Sequence, residues 1–148
     1  MYLLDTNVIS EATKKRPAPG VVDFLRHQSP SALFLSALTL GEVEWGIENV
    51  TDSSKRAGLR QWVTHDLRPA YAGRILAVDE GVMLTWARMA LATGRKPKQL
   101  PCMDSLLAAT ALHHRLTLVT RNTADFELFG LSLINPWTPS QDRQADIL

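Results

Sequence analysis

Apolar residues along the chain fall into two kinds of pattern. Leu3-Leu4, Leu33-Phe34-Leu35, Ile75-Leu76-Ala77-Val78, Leu116-Thr117-Leu118-Val119 and Leu131-Ser132-Leu133-Ile134 are short runs, several bounded by turn residues, and predict buried strands. Between them the apolar positions take helical spacing: Val21, Val22, Phe24 and Leu25; Val43, Trp45 and Ile47; Val82, Met83, Trp86, Met89 and Ala90; Leu106, Leu107, Thr110 and Ala111. Strand and helix alternate, and strands joined by helical crossovers usually pair in parallel with helices covering both faces. The expected fold class is therefore α/β, a single domain with a twisted parallel sheet flanked by helices. Residues 51–73 run from Thr51-Asp52-Ser53-Ser54 through Trp62 to a turn-like stretch from Pro69 to Gly73, which predicts a helical hairpin inserted between strands. The folded domain is placed at residues 1–137, and residues 138–148 read as a short polar tail expected to fray.

Composition narrows this picture. A chain of 148 residues, 45% hydrophobic and 21% charged, has the size of one core-forming domain and leaves no room for a second. No run approaches the ~18 apolar residues of a membrane span, and the N-terminus shows no basic leader before a long apolar stretch, so a cytoplasmic location without membrane association is expected. The single cysteine, Cys102, excludes an internal disulfide and a cysteine-built zinc site, and is expected to pack as a small buried hydrophobe. A net charge of +1 gives no overall footprint for a polyanion. Only local basic clusters, Lys14-Lys15-Arg16 and Arg95-Lys96-Pro97-Lys98, offer phosphate contacts, and each alone is equally a solvated surface.

The acids carry the chemistry. In open α/β sheets ligands bind in the crevice outside the carboxyl ends of the strands. Asp5 directly follows the first strand; Glu42 lies a few residues past the second, in the first turn of the next helix; Asp104 opens the Leu106 helix; Asp125 follows the strand ending Val119-Thr120. All four are expected on one edge. Four carboxylates in one cleft repel each other unless a cation neutralises them, and hard oxygen donors suit Mg²⁺ or Mn²⁺. Adjacent His113 and His114 are expected to point to different sides of a helix and not to chelate together. Each acid also has a structural alternative. Thr39-Leu40-Gly41-Glu42 fits a capping box, Asp104 suits a helix dipole, and Asp5 and Asp125 are possible N-caps. Their combination at strand ends of one crevice favours a site.

Four segments then support a resemblance: Leu3-Leu4-Asp5-Thr6-Asn7-Val8-Ile9, Ser36-Ala37-Leu38-Thr39-Leu40-Gly41-Glu42, Asp104-Ser105-Leu106-Leu107-Ala108-Ala109-Thr110-Ala111 and Leu118-Val119-Thr120-Arg121-Asn122-Thr123-Ala124-Asp125-Phe126. In this order and spacing they resemble PIN-domain proteins, specifically VapC-type toxins of toxin–antitoxin pairs, and Asn135-Pro136-Trp137 resembles the FitB-like branch. The resemblance implies a Mg²⁺- or Mn²⁺-dependent endoribonuclease leaving 5′-phosphate and 3′-hydroxyl ends, a homodimer, and inhibition by a small antitoxin with a DNA-binding domain. Matched residue by residue, it implies metal ligation by Asp5, Glu42 and Asp104, with Thr6 and Asn7 near the metal. Some relatives carry the fourth acid directly after the Thr-Arg dipeptide, where this chain has Asn122, so either Asp125 or Asn122 fills that position. Thr120 and Arg121 join Thr6, Asn7 and Asn122 as expected substrate-side or supporting residues.

Three tryptophans, Trp45, Trp62 and Trp86, are candidate walls of an apolar groove for an antitoxin helix, against the alternative that they are core. A phosphatase with Asp5 as nucleophile predicts a second acid two residues on, where Asn7 stands. No lysine-centred phosphate loop supports a nucleotide enzyme. The remaining rival is a weakly active or inactive partner of a DNA-binding antitoxin, acting mainly in a repressor complex.

Overall fold

The computed structural model describes residues 1–138. Five parallel strands, β1 (Tyr2–Leu4), β2 (Leu33–Ser36), β3 (Ile75–Leu76), β4 (Thr117–Val119) and β5 (Leu133–Ile134), form one sheet in the order β3-β2-β1-β4-β5. The helices are α1 (Thr6–Glu11), α2 (Pro19–Arg26), α3 (Ala37–Glu48), α4 (Ser53–Trp62), α5 (Arg68–Ala70), α6 (Glu80–Ala92) and α7 (Cys102–His113).

Successive strand side chains point to opposite faces, and this builds two cores from one sheet. Leu3 and Leu118, both fully buried, pack with Val82, Met89, Ala90, Leu107, Ala108 and Ala111 of α6 and α7. Their neighbours Leu4 and Val119, also fully buried, pack on the other side with Leu35, with Val8 and Ile9 of α1 and with Val21 of α2. A strand enclosed on both faces needs a continuous apolar run, which is why Leu3-Leu4 and Leu118-Val119 show no polar alternation.

Local signals start the helices. The side chain of Ser36 accepts the Leu38 N–H at 3.1 Å, Asp52 accepts that of Lys55 at 2.7 Å, and Asp79 accepts that of Val82 at 3.0 Å. Pro19, at the first position of α2, has no N–H to leave unpaired.

The segment 51–73 departs from expectation. Residues 53–70 of it form one continuous helical rod: α4 runs through a wider π-type turn, Val63–Leu67, into α5. Leu67 buries inward there, and the wide turn accommodates Pro69, which lacks the N–H a regular helix requires. Cys102 also departs. It is exposed, because it occupies the first position of α7 ahead of the buried face that begins at Ser105. His113 and His114 do not diverge either: their rings meet edge to face with centroids 4.8 Å apart, since His114 caps α7 and has left the helical repeat. Of the tail, residues 139–148 lie outside the described residues. Among the described residues no helix is long and apolar enough to cross a membrane.

The strand order has one consequence for function. From β1 the chain moves outward through β2 to β3, then returns across to β4 and moves outward the other way to β5. The direction reverses between β1 and β4, so the loops leaving those two strands diverge and open a crevice at their carboxyl ends.

Candidate active site

Asp5 stands at this switch point. Its backbone N–H continues the ladder to Val119 O at 3.0 Å, so its side chain is held just past the last β1–β4 pair. One carboxylate oxygen caps α1, accepting the Thr6 N–H at 2.7 Å. The other accepts the Thr120 hydroxyl at 2.7 Å and the Asn7 amide at 2.9 Å. The capping alternative is thus correct but incomplete, because a cap needs only one of these oxygens. Thr120 is fully buried behind Asp5, and its hydroxyl also accepts from Asn7 Nδ2 at 3.2 Å and the Asn122 N–H at 3.1 Å. Asn7 Oδ1 in turn accepts the Arg121 N–H at 3.2 Å. Two loops from adjacent strands are laced together around one carboxylate.

Glu42 approaches from α3. The capping box does not form: Ser36 is the N-cap, Thr39 is buried and donates to Leu4 O at 3.4 Å, and Glu42 sits in the second turn of α3, a turn later than expected. Freed from a capping role, its Oε2 accepts the Thr6 hydroxyl. Asp104 approaches from the first turn of α7. Asp5, Thr6, Asn7, Glu42, Asp104 and Asn122 line one open cleft of about 500 Å³.

Asp125 does not line that cleft. It lies exposed at the end of a short 3₁₀ turn, Thr123–Asp125, while Asn122 is the residue of this loop that reaches the cleft wall. Its charge is nevertheless felt inside. Burial raises the Asp5 carboxyl above the usual aspartate range, its hydrogen bonds from Thr120, Thr6 and Asn7 oppose the rise, and repulsion from Asp125 adds to it. Asp104 is also raised, first by burial and then by repulsion from Asp5, Asp125 and Glu42.

The donor set is all oxygen, which fits Mg²⁺ or Mn²⁺ rather than zinc. Among the described residues no three Asp, Glu, His or Cys side chains converge into a ready metal cage. An arrangement of carboxylates spaced around an open cleft suits an ion that keeps several of its waters, as Mg²⁺ does.

Several cleft residues were not singled out in the sequence. Ser10 follows Thr6 by four positions on the same side of α1, a usable spacing signal, while Thr13 lies in the turn just after the helix. The far wall is Val43, Trp45, Ile47, Leu59 and Trp62, contributed by α3 and α4. Trp45 is 72% exposed, unusual for a residue of its size. Trp86 instead turns inward, donating to Ser105 Oγ at 2.9 Å against the α6–α7 core.

A parallel α/β domain with three carboxylates from separate elements around a switch-point cleft defines a class, and the PIN-domain family model matches residues 2–129; the chain belongs to the PIN-domain family. Its relatives include proteins named as a ribonuclease and as a toxin. A VapC ribonuclease of Sinorhizobium fredii is 34% identical over 95% of this chain and 100% of its own length. The toxin FitB of Neisseria gonorrhoeae is 35% identical over 93% of this chain and 99% of its own. Among solved structures, FitAB bound to a DNA fragment superposes with a TM-score of 0.86 at 33% identity, covering 96% of this chain and 99% of that one.

Proposed function

We propose that the protein is the toxin of a toxin–antitoxin pair and acts as a Mg²⁺- or Mn²⁺-dependent endoribonuclease. The observation that carries this is the grouping of Asp5, Glu42 and Asp104 around one open cleft, with Asp5 and Asp104 held above the usual aspartate range chiefly by burial and further by neighbouring acids. Such a site is short of positive charge, and its natural ligand is a hard divalent cation. Asp5 and Asp104 are the principal ligands in this reading. A bound divalent ion makes water a nucleophile at neutral pH and offsets the charge of the phosphate under attack.

The chain's own groups do the rest. Glu42, oriented by the Thr6 hydroxyl, directs the attacking water or takes its proton. Thr120 and Asn7 fix the rotamer of Asp5. Asn122 and the outlying charge of Asp125 complete the fourth position, Asn122 from the cleft wall and Asp125 through its field. Arg121 and the basic residues 95–98 supply phosphate contacts that confer affinity without reading sequence. A small antitoxin with a DNA-binding domain neutralises the toxin, and the protein acts as a homodimer in the cytoplasm. The apolar far wall around Trp45 and Trp62 is where an antitoxin helix fits.

The test is incubation of the purified protein with total RNA in Mg²⁺, in Mn²⁺ and in EDTA, beside a folded Asp104→Asn variant, with the cleaved ends mapped. Metal-dependent cuts that vanish in the variant support the reading; intact RNA in every lane refutes it. The DNA-bound FitAB structure favours one second reading, a partner acting mainly within a repressor complex. Loss of toxicity in Asp5→Asn favours the enzyme, and retained phenotype favours the complex.

A further inference from the structure

The segment after β5, Asn135-Pro136-Trp137, has no part in the cleft, yet it is tied to the loop that leads into it. Asn135 donates from Nδ2 to Arg121 O at 3.2 Å, while its Oδ1 accepts the Trp137 N–H at 2.9 Å and so fixes the turn that follows. The Arg121 guanidinium lies over the Trp137 ring, 5.7 Å from its centroid, within cation–π range. Arg121 is therefore held at three points: its N–H by Asn7, its carbonyl by Asn135 and its side chain by Trp137.

The clip itself is anchored. Pro136 is buried, and Trp137 packs against the core cluster that contains Val21 of α2. The α2 backbone comes so close that a Cβ on Gly20 would stand 2.2 Å from Pro136 O, which only a glycine permits. Arg121 immediately precedes Asn122 of the cleft wall, and its charge also reaches Glu11 at the end of α1. An exposed arginine with a long flexible stem loses much rotamer freedom on gripping a phosphate, and a side chain already stacked on an aromatic ring has less to lose.

We infer that Asn135 and Trp137 are positioning residues that hold the Arg121 guanidinium at the rim of the cleft as a preorganised contact for the phosphate backbone of single-stranded RNA. This deepens the proposed nuclease reading and rests on its substrate class. It assigns the C-terminal segment a role in substrate affinity and leaves base recognition elsewhere, since a guanidinium on a phosphate carries no sequence information.

The experiment measures binding of a fluorescein-labelled single-stranded RNA by anisotropy in EDTA, across a salt series, and separately kcat and KM for its cleavage in Mg²⁺. The full chain is compared with Arg121→Gln, Trp137→Leu, Trp137→Phe, Asn135→Ala and the Arg121→Gln/Trp137→Leu double variant. Arg121→Gln should weaken binding about threefold to tenfold at moderate salt and lower the slope of log Kd against log salt by about one. Trp137→Leu and Asn135→Ala should move in the same direction, raising KM more than they lower kcat. The double variant should be no worse than Arg121→Gln alone, and Trp137→Phe, which keeps a ring face, should recover most of the loss. Wild-type salt slope and KM in both folded Trp137→Leu and Asn135→Ala overturn the inference while leaving the nuclease reading intact. Binding that depends on Arg121 and Trp137 without any cleavage supports the clip and refutes the nuclease. No RNA binding in EDTA overturns the clip, and no cleavage in Mg²⁺ by the same unaltered protein refutes the nuclease as well.

Discussion

Thr120→Val is the sharpest probe of how the cleft tolerates its central acid. Valine keeps the shape of a fully buried side chain and removes the hydroxyl, which donates to Asp5 Oδ2 at 2.7 Å and also accepts from Asn7 Nδ2 and the Asn122 N–H, so only the Asp5 part of the loss depends on pH. A hydrogen bond to a charged group contributes about 1.5–3 kcal/mol, and a domain of this size loses about 2–4 °C of Tm per kcal/mol, so the expected fall at neutral pH is about 3–12 °C. The pH dependence is the decisive part. Asp5 has its carboxyl raised above the unfolded value, so ionising it costs stability: the metal-free fold is less stable above the folded pKa and recovers as pH falls through it toward the ordinary carboxylate range. Thr120 opposes that rise, so the variant raises Asp5 further and recovers more on acidification. Thermal melts in EDTA should show the gap between wild type and variant narrowing as pH falls from neutral toward the ordinary aspartate range, about 3.9. A gap that is constant with pH, or a Tm unchanged at neutral pH, would show that Thr120 does not act through the Asp5 carboxylate.

Asp104→Asn removes a carboxyl raised by burial and by three acidic neighbours, so it should raise the metal-free Tm while reducing RNA cleavage at least ~100-fold, read by melts and by single-turnover rates on the same preparation. Saturating Mg²⁺ should stabilise the wild type by about 2.7 kcal/mol at a hundred times Kd, and the Tm rise over EDTA should be clearly smaller in Glu42→Gln. Asp125→Asn should lower cleavage much less than Asp104→Asn, because Asp125 reaches the cleft by its field and not by its side chain; equal losses would make it a ligand. Gly20→Ala should destabilise by about 1–3 kcal/mol in denaturant melts despite alanine's better helix propensity, because its Cβ collides with Pro136 O.

Much of this was legible because strand ends are legible. Each apolar run marks where a parallel strand stops, and a carboxylate just beyond such a stop has few places to go. That reasoning places Asp5 just off the carboxyl end of β1; its position beside β4 follows only from the Leu4 to Val119 register. Glu42 was harder, because the spacing Thr39 to Glu42 imitates a capping box. The helix begins three residues earlier than the box requires, at Ser36, and that start depends on β2 ending one residue past its apolar run. Pro69 signals a break locally and so predicts a hairpin, whereas in the rod from α4 to α5 a wide turn absorbs it while Leu67 buries. The lacing of Thr120, Asn7 and Asn135 was not legible as geometry at all. These contacts span separations of 14 to 115 residues and depend on the order of strands in the sheet, which hydrophobic spacing does not specify.

The same topology that makes the site opposes the fold locally. Parallel strands bring the loops after β1 and β4 together, and each loop contributes acid or polar groups where a core would prefer apolar ones. The structure offsets only part of this cost. Every buried polar side-chain atom among the described residues has a hydrogen-bond partner, so desolvation is offset as far as neutral groups allow. The charge itself is left uncompensated: among the described residues the ion pairs are Glu11 with Lys14, Glu48 with Arg60 and Asp23 with His27, and none involves Asp5, Glu42 or Asp104. A structural role for these three carboxylates would be better served by an arginine beside them or by amides in their place. Their persistence as unpaired acids in a cleft open to solvent is the physical argument for a cation supplied from outside. It also makes occupancy of the cleft, by metal or by a partner's basic side chain, the event that relieves the strain.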